Sequence, residues 1–212
     1  MNLFRSRRSR LMALLACAGL TAAAGLLACG SENTRDFARD SATATPTVPT
    51  GLRWQSFLGV DLPIADQGPH HIDGPVASGF DRSPAGAALA AVHSTVRMSI
   101  ATDTQWAMVG QRMLAPGPGR DNWATARAQI SITAPITSGA PKVLGYVIAH
   151  HTLDATDVDI YTLHPDNSVT RNNTHVTWQG EDWRLRLPDN PTTAPVTALA
   201  APPPDMVAFT PR

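Results

Sequence analysis

The stretch Val176-Thr-Trp-Gln-Gly-Glu-Asp-Trp-Arg-Leu-Arg-Leu187 decides how the chain is read. Val176 and Trp178 alternate with Thr177, Gln179-Gly-Glu-Asp182 has the composition of a turn, and Trp183, Leu185 and Leu187 alternate with Arg184 and Arg186. A period of two on both sides of a turn is an antiparallel hairpin with one face on a core and the other in water. Upstream, Ile130–Pro135, Val143–Leu153 and Asp157–His164 are also strand-like and lead into Val169–Trp178, the first arm of that hairpin. With Trp183–Leu187 this makes four or five strands in an antiparallel meander.

Before residue 130 the period changes. Ser83-Pro84 fits an N-cap followed by proline at the first helical position. Ala87, Ala88, Ala91, Val92, Thr95, Val96 and Ile100 then fall on one 3.6-residue stripe, with His93, Ser94 and Arg97 off it. The stripe residues are small, so the helix can approach a neighbour closely. A second helix is expected from Asp103, as cap, to Leu114, with Trp106, Val109 and Met113 inward, ended by Pro116-Gly-Pro-Gly119. A third starts with Asp121 as cap and runs through Trp123 to about Gln129. Helices first and strands afterwards predict an α+β domain over residues 83–187, with about three N-terminal helices packed on a curved antiparallel sheet of four or five strands.

Around this block the composition shifts. Residues 52–82 carry Trp54, Phe57, Leu58, Val60, Leu62, Ile64 and Phe80, interrupted by Pro63, Gly68-Pro69, Gly74-Pro75 and Gly79, and predict an extended arm that packs its aromatics on the domain. Residues 188–212, with Pro202-Pro-Pro204, read as a Pro-rich tail from which Val207 and Phe209 dock weakly. Residues 29–51 read as a flexible tether of Ser, Thr, Ala and Pro with too little apolar area to offset chain entropy. About 20 such residues span on the order of 25 Å root-mean-square.

Residues 1–28 have the layout of an export signal. Arg5, Arg7, Arg8 and Arg10 precede an apolar run from Leu11 to Ala28, and Leu26-Leu-Ala-Cys29 follows it with small residues at the cleavage point. Leu14-Leu-Ala-Cys17 has the same local form but leaves only six residues after Arg10, short of an h-region of about 7–15. The alternative is an uncleaved anchor helix, since the run just reaches spanning length.

Losing residues 1–28 leaves 184 residues with 13 basic side chains against 17 acidic, a formal charge of −4. That balance disfavours nucleic acid as the main partner, which needs a basic face. It also leaves no polybasic patch to hold a membrane. Leu26-Leu-Ala-Cys29 resembles a bacterial lipobox, which implies attachment through two acyl chains on Cys29 and leaves no thiol for disulfides, thiolate nucleophiles or cysteine-ligated metals.

Two resemblances rest on particular residues. Leu26-Leu-Ala-Cys29 resembles the lipobox of bacterial lipoproteins, which implies cleavage before Cys29 and acylation of its thiol. Helices followed by the strands that end in Val176–Leu187 resemble the cone-shaped fold of nuclear transport factor 2 and its relatives. Trp54 with Gly59 and Leu62-Pro63, Gly68-Pro69, Ala77-Ser-Gly-Phe80 leading to Ser83-Pro-Ala-Gly-Ala87, Pro116-Gly-Pro-Gly-Arg120, and Trp178 with Gly180-Glu-Asp-Trp-Arg184 together resemble a family of actinobacterial exported proteins often associated with conjugative elements. That resemblance covers about residues 52–187 and implies an accessory component of an envelope assembly, with no catalytic residues to carry over.

Seven histidines raise a metal reading, with His70-His71 and Asp73, or His150-His151 and Asp154, as candidates. Adjacent strand residues point to opposite faces, and no third ligand is identifiable at either place, so the bland alternative is solvated histidines. No metal and no cofactor is expected. A pocket between helices and sheet would be lined by Tyr146, His150, Asp159, Tyr161 and His175, where an Asp–His pair could move a proton. Alternation alone leaves open whether those residues face inward. No Gly-x-Ser-x-Gly elbow, phosphate loop or dinucleotide fingerprint occurs. Trp106, Trp123, Trp178 and Trp183 read as core and helix–sheet contacts, and Trp54 as a possible partner contact. The expectation is a lipid-anchored extracytoplasmic protein that acts by binding other envelope proteins. Its alternative is a small-molecule pocket protein or pocket enzyme.

Overall fold

The structure is a computed structural model and describes residues 48–192 and 194–210. The expected signal, Cys29 and the tether up to residue 47 lie outside the described residues. The chain enters as two hairpins. Strands β1 (Arg53–Phe57) and β2 (Val60–Ile64) pair antiparallel, with Phe57 opposite Val60. The two residues between them, Leu58 and Gly59, both take positive φ (51° and 91°), the backbone that a two-residue hairpin loop demands. Strands β3 (His71–Asp73) and β4 (Val76–Ser78) form the second hairpin around Gly74-Pro75.

Helix α1 (Pro84–Ile100) follows, capped by the Ser83 hydroxyl, which accepts from the Gly86 N–H at 3.1 Å. It lies across the inner face of the main sheet and takes the hairpins and α2 (Trp106–Met113) on its other sides. Ala85, Ala87, Ala88, Leu89, Ala90, Ala91 and Val92 have no exposed surface at all. A helix buried all round is apolar all round, and alanine lets strands approach it from two directions. Helix α3 (Pro118–Arg127) packs on α2.

The main sheet is built from β5 (Lys142–His151), β6 (Ala155–Leu163), β7 (Val169–Gln179), β8 (Asp182–Leu185), β9 (Val196–Leu199) and β10 (Val207–Ala208). Its order is β10-β5-β6-β7-β8, with β9 also on β7, and every pair is antiparallel. Strand β7 is long enough to take β9 along Val169–Asn172 and β8 along Val176–Gln179 on the same side. Thr156, Val158, Ile160 and Val176 face α1.

The expected α+β cone of three helices on four or five strands is corrected by this arrangement. The sheet has six strands, α1 is the helix that lies across it, and the rest of α1 is covered by two hairpins as well as α2. Two of the six strands come from the Pro-rich stretch after residue 188, where Val207 and Phe209 are buried instead of weakly docked. The expected strand Ile130–Pro135 is absent: its backbone bonds Asp103 (Ile132 N–H to Asp103 Oδ1, 2.9 Å; Asp103 N–H to Ile132 O, 2.9 Å) and joins no ladder.

The caps differ too. Asp103 spends its carboxylate on Ile132, Ser131 and Arg127. Helix α3 starts three residues before Asp121, at Pro118, and the Gly119 N–H donates to Asp189 Oδ1 at 3.2 Å. A carboxylate seventy residues away occupies the helix start.

Polar side chains tie the layers. Asp182, the first residue of β8, accepts from the backbone N–H of Gly79 (2.8 Å), Phe80 (3.1 Å) and Trp183 (2.9 Å), and the Trp183 indole donates to Asp81 O at 2.9 Å. His93 and Arg97, one turn apart on α1, are both buried. His93 Nε2–H donates to Pro63 O at 2.8 Å, which fixes the neutral tautomer because a carbonyl only accepts. Its bare Nδ1 receives Arg97 Nε at 3.4 Å, Arg97 also donates to Pro75 O at 3.0 Å, and the guanidinium stacks 4.2 Å from the Phe57 ring. Two polar residues thus fasten both N-terminal hairpins to the central helix.

Candidate functional site

The five residues expected to line one pocket are divided between the two faces of the sheet. Tyr146 is buried against Phe209, ring centroids 5.4 Å apart, and burial pushes its phenol well above the ordinary value. Asp159, Tyr161 and His175 sit on the opposite face, away from α1, because Val158 and Ile160 of β6 and Val176 of β7 take the inward positions. His150 is exposed at the far end of β5, opposite Asp157.

On that outer face the side chains satisfy one another. His175 Nδ1 meets Asp157 Oδ1 at 2.6 Å, with both side chains close to half exposed. Asp159 accepts from the Asn173 amide and lies 3.8 Å from Arg171. Tyr161 is nearly covered, and desolvation, helped by the Asp159 charge, raises its phenol.

At the histidine pairs, His70 Nε2 meets Asp81 at 3.1 Å and His151 Nδ1 meets Thr156 at 2.8 Å. Burial and then the neighbouring His150 lower the pKa of His151. Among the described residues no group of three His, Cys, Asp or Glu is placed to hold a metal ion. Trp54 is half-buried, edge-on to Phe209 at 6.2 Å.

Two concavities stand out among the described residues. One, about 320 Å³, lies between Val48–Leu52, where the chain comes in, and Ala208–Thr210. The other, about 240 Å³, runs between α2 and α3 and is open to solvent. Helical spacing builds it. Trp106 and Gly110, one turn apart on α2, face Arg120, Trp123, Ala124 and Arg127 on one stripe of α3.

Trp106 and Trp123 meet edge to face, centroids 5.8 Å apart, and both are half-buried. Gly110 allows this: a Cβ there would stand 2.5 Å from Trp123 Cζ3. Arg127, buried, stacks 5.8 Å from the Trp106 ring and is itself held by Ala101 O (2.8 Å), Ile130 O (2.6 Å) and Asp103 (3.1 Å). The Asp103 carboxyl is in turn held below its ordinary pKa, first by the Ile132 N–H and then by Ser131. Arg127 thus holds the Trp106 wall of the groove from a buried, hydrogen-bonded position. Gln111 and Arg120 at its rim add hydrogen-bond donors beside apolar walls.

Trp106 and Trp123 pack against the core, as expected, and each also presents a part-exposed edge to this groove, which the helical period alone did not show.

No curated protein and no solved structure matches the chain. A family model described as a domain of unknown function, DUF8175, matches residues 21–202, nearly all of the hairpins, helices and sheet described above, and the chain belongs to that family.

Proposed function

We propose that this protein is a lipid-anchored, extracytoplasmic binding module that acts without catalysis and seats a partner in the groove between α2 and α3. The observation that carries the binding half is the pair of tryptophans walling an open groove, one of which, Trp106, also stacks with buried Arg127. Preformed aromatic grooves with a few polar groups at the rim are recognition sites. The acid–base candidates are not gathered into one site, since Tyr146 lies in the core and Asp159, Tyr161 and His175 on the opposite face of the sheet. The anchoring half rests on Leu26-Leu-Ala-Cys29 after a basic and apolar leader. In the setting that the sequence resemblance implies, the partner is another envelope protein of a conjugation or secretion assembly.

A photoreactive side chain at exposed Gln111, introduced into the full chain in its own cells, tests the binding half. The account predicts a discrete envelope-protein adduct that disappears when Trp123→Ala is added. An adduct indifferent to Trp123, or none, contradicts it.

A further inference from the structure

We infer that His93 and Arg97 form a proton-gated latch: acid frees both N-terminal hairpins from α1 together and leaves α1 on its sheet. The inference is independent of the α2–α3 groove and of lipidation. One run of bonds, from Pro63 O through His93 and Arg97 to Pro75 O, fastens β1–β2 and β3–β4 to the same helix. That run closes with a single proton on the imidazole. Nε2–H donates to the Pro63 carbonyl at 2.8 Å, and the bare Nδ1 accepts from Arg97 Nε at 3.4 Å.

A second proton turns Nδ1 from acceptor to donor. It then faces the Arg97 N–H across 3.4 Å, two like charges in a place closed to water. The helix has no carboxylate of its own to neutralise them. On the elements around it, Arg53 of β1, Asp61 of β2 and His71 of β3 are exposed, and Arg112 of α2 pairs with exposed Asp73 of β3. After β4, Asp81 pairs with His70. In the sheet, Asp157, Asp159 and His175 occupy the face away from α1, and Asp182 is spent on the Gly79 and Phe80 amides. Relief comes when Arg97 leaves, and its bond to Pro75 O and its stack on Phe57 leave with it.

Connectivity decides what comes loose. Each hairpin is its own two-stranded sheet and shares no ladder with the six-stranded one. Isolated hairpins of this size are marginal in water. Helix α1 meanwhile packs on β5, β6, β7 and β8, and Asp182 pins Gly79 and Phe80, where the released chain pivots. Opening uncovers Phe57, Val60, Leu62 and Val76, all buried while the latch is shut. A sealed apolar layer thus becomes an exposed one, the kind of surface through which proteins associate.

The test is hydrogen exchange of the full chain in detergent micelles at pH 7.5 and pH 4.5, corrected for the intrinsic pH dependence of the rates. The open-state ring has its ordinary pKa near 6.5 against about 3 when latched, so opening should be about 100-fold more populated at pH 4.5. Amides of β1 to β4 should lose that much protection while those of β6 and β7 keep theirs. A glutamine amide can donate to Pro63 O and accept from Arg97 but takes no proton, so His93→Gln should hold the hairpins shut at both pH values. If that variant does not fold, the contrast between hairpins and sheet in the natural chain decides the matter. Loss of protection in hairpins and sheet together, unchanged hairpin protection at pH 4.5, or the same acid opening in His93→Gln would each overturn the assignment.

Discussion

His93 sits at the centre of the molecule with a neutral imidazole that burial, and then the Arg97 charge, hold down to a pKa of about 3. In the unfolded chain the same ring takes a proton near pH 6.5. The unfolded state thus binds more protons between those values, and stability falls as pH drops from about 6.5 toward 3. Thermal melts followed by circular dichroism should show Tm declining below pH 6.5, before the carboxylates titrate, and His93→Gln should flatten the slope between pH 6.5 and 4.5. At pH 7.5, His93→Ala should cost about 1–3 kcal/mol, because it strands the Pro63 carbonyl and a buried Arg97 nitrogen. None of this was legible from the helical period. His93 and Arg97 fall off the apolar stripe of α1 and read as a wet face, and only the partners brought by two distant hairpins make that face dry. Gly110 is the corresponding residue of the groove. Gly110→Ala should leave the fold standing at a cost of about 1–3 kcal/mol, move the Trp123 ring, and change the near-ultraviolet dichroism of the Trp106–Trp123 pair.

At the scale of elements, legibility followed length and alternation. Helix α1 and strands β6, β7 and β8 were readable because each repeats its period over enough residues, or ends in a turn of clear composition. The four strands before α1 were not: three to five residues long and broken by Gly59, Pro63 and Gly74-Pro75, they have no period of their own and exist because α1 offers them a surface. Strands β9 and β10 were hidden in a Pro-rich stretch for the same reason. Strand β10 nevertheless closes the core over Tyr146, and Gly145 is what admits it, since a Cβ there would stand 2.2 Å from the Val207 carbonyl oxygen. Gly145→Val should push β10 off its edge. The amides of Val207 and Phe209 should then lose hydrogen-exchange protection while those within β6 and β7 keep it. Unchanged protection at Val207 and Phe209 would show that β10 is held by something other than this close approach.

For the whole molecule, a single alanine-rich helix organises everything. The six-stranded sheet covers one side of it, two hairpins and α2 cover the rest, and no helix among the described residues is long and apolar enough to cross a membrane. The groove between α2 and α3 lies beside this core, at the β8 end, its Trp106 and Trp123 walls packed against it. The proposed anchor rests on residues 1–29, which lie outside the described residues, and on their sequence chemistry: a basic start, an apolar run, and one cysteine after small residues. Under the proposal, replacing Cys29 by serine should release the protein from the membrane fraction. The most direct measurement is the mass of the N-terminal peptide from protein extracted from its native membrane. The account predicts a chain beginning at Cys29 and carrying the added mass of two or more acyl chains. A free Cys29 thiol, or a chain still beginning at Met1, would contradict it.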